Sequence, residues 1–186
     1  MQIILARHGK PKLPCLGWVS PRQMKGWIEC YNQAEIEAES IPVETKAVAN
    51  ASGVVASSAA QRCVQSVQGL GYGASAIIDT VFREADLPYL MWRAPKLPVS
   101  VWASVFRLAW FCGFSTNAES RSAAMLRAQV AANRLIALAH EHGSVFLMGH
   151  GVMTMLIAKH LCSLGWVGAS RPHNRHWQYS VYHAAA

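Results

Sequence analysis

Four short stretches of the chain carry side chains that could do chemistry together. They are "LARHGK" with Arg7 and His8, "SSAAQRC" with Arg62, "FREADLP" with Glu84, and "LMGHG" with His150. A guanidinium is a rigid fork of N–H donors that fits two oxygens of an anion. An imidazole can carry a proton or act as a nucleophile near neutral pH, and a carboxylate can give or take a proton. An arginine next to a histidine is an uncomfortable pair if both only fill space. It makes sense if the two are built around an anion.

These residues need elements that bring them together. Gln2–Ala6 reads as a buried strand that runs straight into Arg7-His8-Gly9. A loop rich in Pro and Gly follows. Ser20, Pro21 and Gln23 then form a helix start with a capping box, and Met24, Trp27, Ile28 and Tyr31 give that helix a buried face. Pro42 is expected to close the region. Gly53–Ser57 reads as a second strand, followed by a helix with Ser58 as N-cap and Gly69 or Gly71 as its stop. Ala76–Phe82 reads as a third strand. After an irregular run with three prolines comes the apolar helix Val99–Phe114, where Ser100, Ser104 and Arg107 share a stripe that faces solvent or lines a cleft. Thr116 and Glu119 suggest a capping box for a long helix over Asn117–His142, stopped by Gly143. Ser144–Gly149 is a fourth strand, its helix ends at Gly165, and the tail "HWQYSVYHA" is a last strand. This alternation predicts an α/β domain over 1–186, with a mostly parallel central sheet between helical layers. The insertion at about 87–115 is expected to form a small helical cap. In such sheets ligands bind beyond the carboxyl ends of the strands. That edge is where Arg7, His8, Ser57, Ser58, Arg62, Glu84, Gly149, His150 and Gly151 are expected to gather.

"ARHGK" and "LMGHG", with "SSAAQRC" and "FREADLP" between them in the same order, resemble the signature segments of the histidine phosphatase superfamily, the phosphoglycerate mutase-like proteins. The resemblance spans essentially the whole chain. It implies a three-layer α/β sandwich and a phosphatase that hydrolyses phosphomonoesters of small metabolites or of a phosphorylated protein. His8 would be the nucleophile that forms a phosphohistidine. Arg7, Arg62 and His150 would hold the phosphoryl group, helped by the helix N-termini after Ser58 and Gly151. Glu84 would be the general acid and base, with Asp86 two residues away as the alternative. Gly9 would permit a tight turn and help fix the His8 tautomer. The resemblance calls for no cofactor and no metal, and two arginines beside His8 and His150 would repel a zinc ion. The mutase branch continues its triplet with a serine and an asparagine, where this chain has Pro11 and Pro14. A phosphatase is therefore expected over a mutase or a non-catalytic phosphate-binding module.

Composition sets the outer limits. The chain has 186 residues, is 52% apolar and carries a formal net charge of +7. These values fit a folded domain with anionic partners. The basic residues are scattered and match no nucleic-acid motif, so a nucleic-acid partner is not expected. The five cysteines (Cys15, Cys30, Cys63, Cys112 and Cys162) contain no CxxC pair, which suits reduced thiols in a cytoplasmic protein. The N-terminus has no basic segment followed by a long apolar run. The positive charge, with Trp92, Trp102 and Trp110, leaves contact with an anionic membrane surface as a weaker reading. Lys10, Arg107, Arg171 and Arg175 are candidates for a substrate rim. The last two belong to the basic run "SRPHNRHW", otherwise a solvated loop.

Overall fold

β1 (Gln2–Arg7) is apolar at four successive positions, and Ile3, Ile4, Leu5 and Ala6 are all buried, so both faces of the strand are covered. Its neighbours explain this. In a computed structural model that describes residues 1–13 and 17–185, the main sheet has the order β4-β3-β6-β1-β7. Pro14 and Cys15 lie outside the described residues. β3 (Val54–Ser58), β4 (Ile77–Asp79), β6 (Ser144–Gly149) and β1 run parallel, and β7 (Tyr179–His183) closes the edge beside β1 antiparallel.

Alternate residues of each strand point to opposite faces, and two cores result. Ile3, Leu5, Val145 and Leu147 pack against α5 (Arg121–His142) and α6 (Gly151–Ser163). Ile4, Ala6, Val55, Phe146 and Met148 pack against α2 (Val43–Asn50) and α3 (Gln61–Gly69). The expected sandwich, with a mostly parallel sheet, is the architecture found.

A third, smaller core joins two distant segments. Val19, Met24 and Phe106 form its centre, with Trp27, Leu87, Tyr89 and Trp102 packed around them. Here a two-residue strand β2 (Trp18–Val19) pairs with β5 (Leu97–Pro98), next to α1 (Met24–Gln33) and α4 (Val99–Phe111). The helical segment at 87–115 therefore packs with α1 and β2, which the sequence reading had not joined to it. Of the three tryptophans considered for a membrane surface, Trp110 is fully buried. Trp102 stacks on Phe106 and donates to the Val19 carbonyl, while Trp92 is exposed. Among the described residues, no helix is long and apolar enough to cross a membrane.

Several local expectations are corrected. Pro42 opens rather than closes an element: it stands at the N-cap of α2, whose Thr45 hydroxyl donates to the Trp177 carbonyl at 2.7 Å. The third strand is shorter than Ala76–Phe82, because Asp79 accepts from the Val81 N–H and turns residues 80–82 into a 3₁₀ turn. The N-cap of α3 is Ala60, since Ser58 stays in its strand. The long helix begins at Ser120, whose Oγ accepts from the Ala123 N–H, and Glu119 takes no part in a cap with Thr116. Gly143 does stop α5, with φ at +78°, a conformation that suits glycine.

Candidate active site

The sheet order sets the arrangement of the site. β3, β6 and β1 lie side by side, so the residues just beyond their carboxyl ends are neighbours. His8 follows β1 and His150 follows β6, and the two ring centroids are 5.1 Å apart. Arg62, in the first turn of α3, lies against both. Its Nε donates to His8 Nε2 at 3.2 Å, and its second guanidinium nitrogen lies 3.3 Å from His150 Nδ1. Its remaining terminal nitrogen donates to the Tyr31 carbonyl at 3.0 Å, and the guanidinium sits 4.5 Å from the Tyr31 ring centroid. All three side chains are essentially out of solvent.

The His8 tautomer follows from its contacts. Nδ1 lies 2.7 Å from the Gly9 carbonyl, which can only accept, so Nδ1 carries the proton and Nε2 holds the lone pair. Burial is the largest cause that draws the His8 pKa down to about 3. The Gly9 carbonyl works in the opposite direction, and Arg62, Arg7 and His176 lower it further. The imidazole is therefore neutral. His150 is also shifted well below its ordinary range, by burial and then by Arg62 and His8. Arg62 can only donate, so His150 Nδ1 accepts and Nε2 carries the proton toward Ser58 Oγ, 2.9 Å away.

The Gly9 carbonyl fixes the His8 tautomer as expected, but the smallness of the residue serves packing rather than a tight turn. Its backbone is in an ordinary conformation, but an added Cβ would lie 2.6 Å from Trp177 Cζ2. The glycine leaves room for that indole, and its N–H donates to Ser66 Oγ. Gly151 likewise makes room for Asn174 Oδ1, which would lie 2.5 Å from a Cβ there. The Arg7 guanidinium donates to the Asn174 carbonyl and to its side-chain oxygen. Among the described residues, two buried atoms near His8, Arg7 Nε and His176 Nε2, have no hydrogen-bond partner.

Glu84 follows the 3₁₀ turn after β4. Its carboxylate accepts the Ala85, Val152 and Met153 N–H groups at 3.0, 3.2 and 2.9 Å. It thereby ties the end of one strand to the start of α6, the helix that follows His150. Asp86 is engaged separately, accepting from the Glu119 N–H and lying 3.7 Å from Arg83. Ser57 and Ser58 do not line the cavity. Ser57 donates to the Ser58 carbonyl, and Ser58 Oγ accepts from the Ala60 N–H while supporting His150.

A cavity of about 740 Å³ has Arg7, Arg62, Glu84 and Gly151 in its wall, while His8 and His150, buried against Arg62, do not line it. Solved structures share the fold. A mycobacterial glucosyl-3-phosphoglycerate phosphatase structure matches with a TM-score of 0.57 and 20% identity, over 87% of this chain and 79% of that one. A putative alpha-ribazole-5′-P phosphatase from Escherichia coli matches at 0.55 and 18%, over 86% and 78%. A phosphoserine phosphatase from Entamoeba histolytica matches at 0.56 and 14%, over 96% and 93%. The chain has the histidine phosphatase fold. No family model and no curated protein matches the sequence.

On this histidine phosphatase fold the candidate rim divides. Arg107 reaches the cavity wall and donates to the Ala85 and Asp86 carbonyls at 2.9 and 3.2 Å, while Ser100 and Ser104 of its stripe face solvent. Lys10 lies outside the wall and pairs with Glu37 at 2.8 Å. Arg171 and Arg175 are exposed and also lie outside it. Their loop instead supplies Asn174 and His176, because Trp177 drops into the core and turns the polar residues before it toward Arg7 and His8. The sequence marked His176 only as part of the basic run read as a rim or a solvated loop, and it did not mark Asn174.

Arg127 was not singled out in the sequence either. It donates to both Glu119 carboxylate oxygens, at 2.9 and 2.5 Å, and to the carbonyls of Val81, Arg83 and Glu84 at 3.0, 2.7 and 3.3 Å. It thus holds the backbone that presents Glu84.

Cys63 lies 3.4 Å from His150 Nε2, which raises a thiol nucleophile as an alternative. Burial pushes its pKa up to about 12, so it remains a packed thiol.

Proposed function

We propose that the protein is a phosphatase that hydrolyses phosphomonoesters through a phosphohistidine on His8. One observation carries this reading: a buried, neutral imidazole holds its Nε2 lone pair against the Arg62 guanidinium, within the field of Arg7, with its proton fixed on the far nitrogen by the Gly9 carbonyl. The fold shared with proteins described as phosphatases supports it.

In the first step the Arg62 guanidinium exchanges its bond to His8 Nε2 for phosphoryl oxygens, and Arg7 supplies a second fork. His8 Nε2 forms a bond to phosphorus as the P–O bond to the alcohol breaks. Glu84, protonated for this step, gives its proton to the leaving oxygen. In the second step Glu84 takes a proton from water as the water oxygen attacks phosphorus, which releases inorganic phosphate and restores His8. Once Arg62 turns away, Ser58 can donate to His150 Nε2. For this the His150 proton moves from Nε2 to Nδ1 by exchange with water, and the Nδ1–H donates to the phosphoryl oxygens. The chemistry is positioning and charge stabilisation by this chain's own residues.

The test is phosphate release from p-nitrophenyl phosphate, combined with trapping from a ³²P-labelled ester. Wild-type protein should release phosphate and retain an acid-labile, alkali-stable label, and His8→Ala should do neither. Release by His8→Ala at the wild-type rate would overturn the mechanism. Transfer to a second alcohol well above release to water would favour the mutase reading.

A further inference from the structure

The wall of the cavity beyond the phosphoryl end also carries information. Trp27, Ile28 and Tyr31 of α1 line the cavity together with Leu87 and Tyr89. Tyr31 is in contact with the Arg62 guanidinium, and its ring is stacked on Trp27 at 5.2 Å between centroids, with 25° between planes. The aromatic wall therefore begins where the phosphate anchor ends. The volume of about 740 Å³ is far more than a phosphoryl group needs and suits a ligand with a sizeable body.

The charges around the cavity limit that body. Arg7, Arg62, Arg83 and Arg107 line it, against Glu84 and Asp86. The excess is two positive charges, which a phosphomonoester dianion offsets. Arg83 is already paired with Glu119 and Asp86, and Arg107 is bound to two carbonyls and rests against Trp110. A second anionic group would meet mostly aromatic surface and lose its hydration there.

We infer that the substrate is a phosphomonoester of an alcohol that is otherwise uncharged and carries a ring system, which lies against Trp27 and Tyr31. This inference rests on the phosphatase reading of the same site. The test compares esters with the same leaving oxygen: adenosine 5′-monophosphate and ribose 5-phosphate, with 3-phosphoglycerate as the doubly anionic arm. Stacking of the ring is expected to raise kcat/KM for the nucleotide about tenfold over ribose 5-phosphate. Trp27→Ala should bring the two within about threefold, and Trp27→Phe should restore the preference. A higher kcat/KM for 3-phosphoglycerate, or a preference unchanged by Trp27→Ala, overturns the inference and leaves the phosphatase reading intact. If no ester is hydrolysed, the phosphatase reading fails. Calorimetric binding then decides the ring claim, supporting it if adenosine 5′-monophosphate binds more tightly than ribose 5-phosphate and sinking it if they bind equally.

Discussion

Replacing Arg127 with methionine should separate the stability of the fold from the placement of Glu84. The Arg127 and Glu119 side chains are 13% and 10% exposed and lie 2.5 Å apart at their closest atoms. Burial alone would raise the Glu119 pKa, but the hydrogen bonds and charge of Arg127, followed by the charge of Arg83, hold it below its ordinary value. Removing one partner of a buried pair costs about 3–5 kcal/mol, because the other charge is left unmatched. Arg83 stays within 3.3 Å of Glu119, so the lower end applies. For a chain of this length, about 3 kcal/mol corresponds to a fall in Tm of roughly 6–12 °C. The Val81, Arg83 and Glu84 carbonyls lose their shared donor at the same time. A shift of about 1 Å in a group that must meet the leaving oxygen can cost about 100-fold in rate. We expect kcat to fall about 10- to 100-fold, with KM changed less than about threefold. The double variant Arg127→Met, Glu119→Met removes the unmatched carboxylate and should recover at least about 2 kcal/mol relative to Arg127→Met alone. It should not recover kcat, since the three carbonyls still lack their donor. Thermal denaturation and steady-state kinetics on the four proteins read both quantities. Wild-type kcat in Arg127→Met, or recovery of both quantities in the double variant, would refute the positioning role.

Two other perturbations probe the buried site. The pKa of His8 is lowered in the folded state, to about 3, and that of His150 is lowered as well. The unfolded chain therefore binds protons, below about pH 6.5, that the folded one refuses. Their contribution is complete above pH 6.5 and is lost as pH falls toward the folded values, so His8 should remove about 2 kcal/mol between pH 8 and 5, and His150 should act in the same direction. Urea unfolding at the two pH values measures this, and His8→Asn should reduce the difference by about that amount; equal stability at both would count against neutral buried rings. Gly9→Ala places a methyl group against Trp177, which is held by Thr45 at its carbonyl and by Glu39 at its indole N–H. We expect a loss of about 1–3 kcal/mol. Gly26→Ala on α1, where the added carbon meets nothing within 4 Å, should be neutral or stabilising by up to about 1 kcal/mol. Equal denaturation midpoints for Gly9→Ala and wild type would refute the packing role.

Much of this arrangement was legible in the sequence because it follows local rules. Apolar runs ending in Arg-His-Gly and Gly-His-Gly mark parallel strands by burial on both faces, and in such sheets ligands gather beyond the carboxyl ends. What stayed hidden depends on tertiary partners. Glu119 has the spacing of a capping residue after Thr116, yet in the folded chain it meets two arginines, and a buried ion pair outweighs a cap. Gly9 reads as a turn residue, but its smallness answers to Trp177, 168 positions away in the chain. Arg171 and Arg175 looked like the basic end of a binding loop. They point to water, and the uncharged Asn174 between them reaches Arg7, because the descent of Trp177 sets which residues of the loop turn inward.

The contacts of Arg62 give the resting site its character. A guanidinium this deeply buried needs acceptors, and it finds the lone pairs of His8 and His150 and the Tyr31 carbonyl. Two of those acceptors are neutral only because burial and the neighbouring arginines have driven the imidazole pKa values down. A phosphoryl dianion changes the balance: it is a far better acceptor for Arg62, and its charge offsets that of Arg7 and Arg62. The arrival of substrate would therefore release the His8 lone pair and bring phosphorus to it in the same exchange. On the proposed mechanism, His8 would be covered by Arg62 when no substrate is bound and uncovered by the group it attacks.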